Sequence, residues 1–311
     1  MNWTKIGWCD LSANPLKYRD NGTGQIVWAC VKISPGCKNC YAESLGQRYN
    51  RGGPFTRAKL QTVTPFMCRD ELHRILNKQV IDKKPVSGRR LFAFDMTDVF
   101  GDWVTDAMID QAFAAFACRK DLTFQILTKR PERMRDYTAA LYRDIASVTV
   151  PRLRAAANSM GFGHLFATAF SGPVFETPIE NIWLGTSIEN LAMLRQRAPV
   201  LAEVRTPVRF WSVEPLLEDI GDEVAAAMAR PVFPNLPPMR WPLNRSVDWI
   251  IAGAESGPNR RPADAACFTV IANACGEQGV PFFMKQLEVG GKITTKIDEF
   301  PPWLRFQEFP T

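Results

Sequence analysis

Leu91-Phe92-Ala93-Phe94-Asp95-Met96-Thr97-Asp98 is an apolar run that stops abruptly in polar side chains, and the chain repeats that step. With 91–97 as the first, further runs occupy residues 123–128, 181–187, 208–213, 248–254 and 280–285, all short and rich in β-branched or aromatic residues. Amphipathic stretches at 105–119, 132–142, 190–203 and 263–276 lie between them. Strands buried on both faces read as near-continuous apolar runs, and intervening helices supply the crossovers of a parallel sheet. The pattern predicts an α/β fold: a partial or complete (β/α) barrel of about six parallel strands, with one further strand near the cysteines. A doubly wound open sheet is the alternative.

The polar ends of these runs carry the functional signal. Thr128-Lys129-Arg130, Thr186-Ser187-Ile188-Glu189-Asn190, Ser212-Val213-Glu214-Pro215, Glu255-Ser256-Gly257 and Lys285-Gln286 all follow apolar residues. In parallel β/α folds the loops after the strands converge on one face, where catalytic groups gather. Helix capping accounts for Thr97, Asp98 or Asn190, since these residue types are favoured at N-caps. Capping does not account for Lys129, Glu214, Glu255 and Lys285 at equivalent positions, so the strand ends predict a polar active-site ring.

Two stretches break the rhythm, residues 146–180 and the proline-rich 229–246, and both read as insertions over the barrel rim in a single domain spanning 1–311. The chain has 311 residues, 46% hydrophobic and 23% charged, which excludes collagen-like, coiled-coil and disordered classes. Its 38 basic against 32 acidic residues leave a net charge of +6, compatible with an anionic partner such as nucleic acid. No apolar run reaches the roughly 18 residues of a membrane helix. The N-terminus, Met1-Asn2-Trp3-Thr4-Lys5, lacks the pattern of a secretory signal, which predicts a cytoplasmic protein. Its 8 cysteines then serve as thiols, metal ligands or catalytic groups rather than disulfides. Walker, Gly-x-Ser-x-Gly, zincin and dinucleotide fingerprints are absent.

Three of those cysteines cluster in Trp28-Ala29-Cys30-Val31-Lys32-Ile33-Ser34-Pro35-Gly36-Cys37-Lys38-Asn39-Cys40-Tyr41-Ala42-Glu43, a C-x6-C-x2-C spacing. A structural zinc site takes four protein ligands, and the two histidines, His73 and His164, lie far away in sequence. Three thiolates with a fourth position open also describe a [4Fe–4S] cluster that accepts an outside ligand. Cys40 opens a predicted helix over 41–49, whose N-terminal dipole favours thiolate charge.

Ser34-Pro35-Gly36-Cys37-Lys38-Asn39-Cys40-Tyr41-Ala42-Glu43, Leu127-Thr128-Lys129-Arg130-Pro131-Glu132-Arg133-Met134 and Trp183-Leu184-Gly185-Thr186-Ser187-Ile188-Glu189-Asn190 are further matched by Arg209-Phe210-Trp211-Ser212-Val213-Glu214-Pro215-Leu216-Leu217 and Pro281-Phe282-Phe283-Met284-Lys285-Gln286. On these motifs, from about residue 28 to 287, the chain resembles the radical S-adenosylmethionine superfamily. It is more closely similar to phage and bacterial three-cysteine-motif proteins carried under a domain-of-unknown-function label. The first cysteine interval is three residues longer than the commonest superfamily spacing. Asp95-Met96-Thr97-Asp98 stands where the superfamily usually has Gly-Gly-Glu.

The resemblance implies that Cys30, Cys37 and Cys40 ligate three irons of a [4Fe–4S] cluster, in a loop at the C-terminal face of the barrel. It implies that S-adenosylmethionine chelates the fourth iron, and that its reductive cleavage yields a 5′-deoxyadenosyl radical for hydrogen abstraction. Ser187, Glu189, Asn190, Ser212 and Glu214 are then candidates for the ribose and methionine moieties, with Asp95 and Thr97 at the place of the missing motif. Lys129 is the candidate partner of the methionine carboxylate or of an anionic substrate. A flavodoxin- or ferredoxin-type reductant and a nucleic acid base as substrate complete that reading. The competing class is a non-catalytic module in which thiolates hold zinc and a basic surface holds nucleic acid; the strand-end carboxylates argue against it.

Overall fold

The computed structural model describes residues 1–311 apart from 50, 172–177, 230–244 and 258. Every predicted run forms a strand of one nine-stranded sheet. Its strands are β1 (Asn2–Trp3), β2 (Leu11–Ala13), β3 (Arg90–Ala93), β4 (Thr123–Thr128), β5 (Ile182–Ser187), β6 (Arg209–Val213), β7 (Trp249–Gly253), β8 (Phe282–Val289) and β9 (Lys292–Thr294). They pair in sequence order, parallel from β2 to β8, with antiparallel β1 and β9 at the edges. The order never reverses, so the doubly wound alternative, which needs a switch point, does not apply.

The parallel strands number seven rather than about six, and the additional one is β2, not a strand at the cysteines. Ile26–Val27, just before the cysteine loop, belongs instead to a small antiparallel sheet with Leu16–Asp20 and Val63–Met67. Among the described residues no ladder joins β2 to β8, so the sheet is not a closed barrel.

It is nonetheless strongly curled. Five neighbouring strands laid flat would separate β3 from β7 by about 19 Å. Yet the Trp8 ring lies 4.6 Å from Phe92 on β3 and 6.2 Å from Trp249 on β7. Alternation along the strands builds two cores. Leu91, Phe124, Ile126, Leu184, Trp211, Ile250 and Met284 face the helices. Phe92, Phe210, Trp249, Ile251 and Phe283 face inward with Trp8. Gly185 makes this possible: a Cβ there would meet the Phe210 ring at 2.5 Å. The C-terminal tail covers the inner core from below, with Met284 donating to the Phe306 carbonyl and Phe309 packed 5.5 Å from Trp249.

The helices Asp106–Ala117, Pro131–Leu141, Leu191–Ala202 and Ala265–Gln278 fall where the amphipathic stretches predict. The described part of the interruption at 146–180 is largely helical. It forms the helices Val150–Ser159 and Gly163–Ala169, the first docked on Asp106–Ala117 by Arg152, whose guanidinium reaches Asp110 at 2.8 Å. Most of the 229–246 insertion lies outside the described residues. No helix among the described residues is long and apolar enough to cross a membrane.

Candidate active site

The strand ends and the cysteine loop enclose a cavity of about 480 Å³, floored by Trp8, Phe92 and Leu127. Its wall carries Asp95, Thr97, Lys129, Ser187, Ser212 and Glu214, so six of the eight residues proposed from strand-end position are brought together. Cys30, Cys37 and Cys40 all open onto the same space.

The backbone sets this face at β3. Phe94 is fully buried, yet its φ is +68°. A left-handed conformation at a residue with a Cβ costs roughly 1–2 kcal/mol, and its amide bond to the Ala13 carbonyl (2.9 Å) helps to hold it. The turn throws Asp95 toward the cavity, where burial raises its carboxyl above the ordinary range despite a hydrogen bond from Asn14. Thr97 donates to the Ala29 carbonyl at 2.9 Å, fixing the residue before Cys30. Lys129 donates to Ser187 Oγ at 3.1 Å and has no carboxylate within ion-pair distance among the described residues. Glu214 is paired with Lys285.

Glu189 and Asn190 are not on the wall. Asn190 accepts from the Met193 amide at 3.0 Å as the N-cap of Leu191–Ala202, the role that capping chemistry predicts. Glu189 is fully buried, paired with Arg197 at 2.9 Å, and accepts from the Gly36 amide at 3.1 Å. One of its oxygens holds the cysteine loop and the other the Arg197 guanidinium.

Several residues had not been proposed. Asp98 accepts from Thr128 Oγ1 at 2.7 Å and Arg130 at 2.8 Å, and Arg130 in turn reaches the Val31 carbonyl at 3.0 Å. Burial opposes the charge of Arg130, but Asp98 and Cys30 outweigh it and hold the guanidinium above its ordinary value. Tyr41 donates to the Asp95 carbonyl, and Asn39 to Glu255 at 2.9 Å. Arg130 stands in the sequence immediately before a proline that starts a helix, a local signal that Arg261, which pairs with Glu255, lacks.

Burial, then Asp98, pushes the Cys30 thiol up to about 12, while Arg130 opposes the shift. Burial also raises Cys40, with Lys129 acting in the opposite sense. A metal must therefore displace protons from these groups, a cost that nearby cations reduce. No three Cys, His, Asp or Glu side chains among the described residues are gathered to hold one metal ion. A zinc ion draws thiolates to about 2.3 Å around a point, whereas a cubane cluster spreads them. Neither histidine lines the cavity: His73 contacts the Met160 carbonyl at 2.9 Å, and His164 sits on an outer helix. The other five cysteines are also absent from the wall. Three soft donors without a fourth suit a cluster with one open iron.

Fold and site together define an α/β protein with a three-thiol cavity at the carboxyl end of a parallel sheet. The chain belongs to the family described as protein of unknown function (DUF5131), whose model matches residues 3–299. No curated protein matches it. Among solved structures, a spore photoproduct lyase double mutant with bound AdoMet and dinucleoside spore photoproduct is similar at TM-score 0.37 and 8% identity, over 86% of this chain and 62% of that one. A point mutant of spore photoproduct lyase gives TM-score 0.39 and 10% identity, over 89% and 66%. The chain thus spans less than two thirds of these lyases.

Proposed function

We propose that this chain is a radical S-adenosylmethionine enzyme, with Cys30, Cys37 and Cys40 holding a [4Fe–4S] cluster and the strand ends holding S-adenosylmethionine. The observation that carries the reading is the convergence of three thiols, with no fourth cysteine or histidine, on one cavity at the carboxyl end of the strands. Bound there, the cluster supplies one-electron cleavage of S-adenosylmethionine and so the radical that abstracts hydrogen from substrate.

The chain's own residues bind, orient and exclude water. Lys129 offers a cation to the methionine carboxylate, and its bond to Ser187 keeps the ammonium over the cavity. Ser187, Ser212 and Glu214 present oxygens suited to amino and ribose hydroxyl groups, with Asp95 and Thr97 past the end of β3 on the same cavity. The apolar floor of Trp8, Phe92 and Leu127 keeps water from the reacting centre. A flavodoxin or ferredoxin is the reductant class this chemistry needs. A nucleic acid base is the substrate class favoured by the net charge of +6.

The test is low-temperature EPR of anaerobically reconstituted, dithionite-reduced protein with and without S-adenosylmethionine. A reduced cluster signal that changes on adding the cofactor is expected. A stoichiometric zinc protein, or a cluster signal indifferent to the cofactor, refutes the proposal.

A further inference from the structure

The interval between Cys30 and Cys37 is held at both of its ends, at Val31 and at Pro35 and Gly36, by ion pairs just past the strand ends. Asp98 fixes Arg130, which donates to the Val31 carbonyl at 3.0 Å. Glu189, paired with Arg197, accepts from the Gly36 amide at 3.1 Å. Glu255 is paired with Arg261, which donates to the Pro35 carbonyl at 3.0 Å, and Glu255 itself accepts from Asn39, between Cys37 and Cys40. Each pair therefore satisfies its own charges and still reaches the loop, through one group in Asp98–Arg130 and Glu189–Arg197 and through both partners in Glu255–Arg261.

The contact at Gly36 is close. A Cβ there would stand 3.0 Å from the Glu189 carboxylate, so the loop seats directly on that side chain. Arg197 is 1% exposed and its Nε has no hydrogen-bond partner among the described residues. A buried pair with an unmet donor is a poor source of stability, which points to a geometric role.

From these contacts we infer that the three carboxylate–arginine pairs Asp98–Arg130, Glu189–Arg197 and Glu255–Arg261 are positioning residues that hold the cysteine loop in its metal-receiving shape before any metal binds. The role of the loop as a cluster ligand rests on the function proposed above; the clamping does not. A long interval has more conformations to lose than a short one, and six charged side chains held in the loops and helices that follow the strands remove that freedom in the folded apoprotein. Glu189 is thereby spent on the loop and stays off the cavity wall, while Glu255, which lines the cavity, is committed to Arg261 and Asn39.

Arg261 is the most accessible member, with 26% of its side chain exposed, so its removal is the change least disruptive to folding. The variants Arg261→Met, Arg261→Lys and Glu189→Gln are prepared as apoprotein, and alkylation of each cysteine by iodoacetamide is timed by mass spectrometry. Cys275, buried on the Ala265–Gln278 helix, reports global opening. In Arg261→Met, Cys37 and Cys40 are expected to react about tenfold faster than in the unaltered protein with Cys275 unchanged, the opening that loss of one charge-assisted bond gives. Arg261→Lys, which keeps the charge, recovers part of the protection, and Glu189→Gln accelerates Cys37 in the same way. Unchanged rates at Cys37 and Cys40 in folded Arg261→Met and Glu189→Gln overturn the inference. So does an acceleration that Cys275 shares equally. Because the apoprotein is measured, altered reactivity in a chain that never takes up iron supports the clamp while refuting the radical reading.

Discussion

Replacing Asp98 with alanine isolates the pair that joins β3 to β4 beneath the cysteine loop. The side chains of Asp98 and Arg130 are 9% and 13% exposed, so solvent screens their interaction little. Asp98 also accepts from Thr128 Oγ1 at 2.7 Å and from the Phe100 and Lys129 amides at 3.1 and 3.2 Å, leaving four donors, Arg130 included, unmet when it is removed. Removing one partner of a buried pair costs about 3–5 kcal/mol, mostly because the surviving charge stays desolvated. Unfolding entropy of about 2.1 cal/mol/K per residue gives a 311-residue chain about 0.65 kcal/mol/K at its midpoint. Asp98→Ala is therefore expected to lower Tm by about 5–8 °C in differential scanning calorimetry. The double variant Asp98→Leu, Arg130→Met removes the stranded charge along with its partner, and is expected to recover at least half of that loss. A fall of less than about 1 °C, or a double variant less stable than Asp98→Ala, would show that the pair is not the buried, mutually dependent unit described.

Trp8→Ala deletes the ring that contacts both β3 and β7; at about 3–5 kcal/mol it lowers Tm by a similar amount, and a smaller shift than a surface substitution gives contradicts the curled inner core. Lys129→Met is expected to weaken S-adenosylmethionine binding about tenfold in calorimetric titration with Tm nearly unchanged; equal affinity removes Lys129 from the cofactor site. Burial raises Glu255, but Arg261 and Asn39 outweigh it and hold the carboxyl below its ordinary 4.5. Its stabilising contribution is thus present above about pH 4.5 and lost as pH falls through the lower folded value. Urea unfolding across that acid range is expected to show a shallower pH dependence in Glu255→Gln than in the unaltered chain, and identical slopes refute the assignment.

The positions of strands and helices were legible because burial on both strand faces writes apolar runs into the local sequence, and 91–97 through 280–285 are such runs. The short β2, only Leu11–Ala13, leaves too brief a run to be noticed, and its place beside β3 comes from long-range pairing. The clustering of polar groups on one face was equally legible, since parallel strands bring all their carboxyl ends together. Asn190, read from the sequence both as a cap and as a cofactor candidate, is a cap.

What each strand-end carboxylate does was not legible. Glu189 and Glu214 each follow a serine at a strand end by two residues, yet Glu214 lines the cavity and Glu189 turns to Arg197 and Gly36. Once a chain leaves its ladder, the alternation that fixes side-chain direction ends, and orientation passes to whichever distant partner satisfies the charge. Arg197 lies on the following helix, and Gly36 is 153 residues earlier in the chain. The sequence by itself determined the strands, the helices, the polar face and the three thiols. Only the tertiary structure decided the open curled sheet, and divided the carboxylates between the cavity and the cysteine loop, because a buried charge takes its direction from partners that no local pattern records.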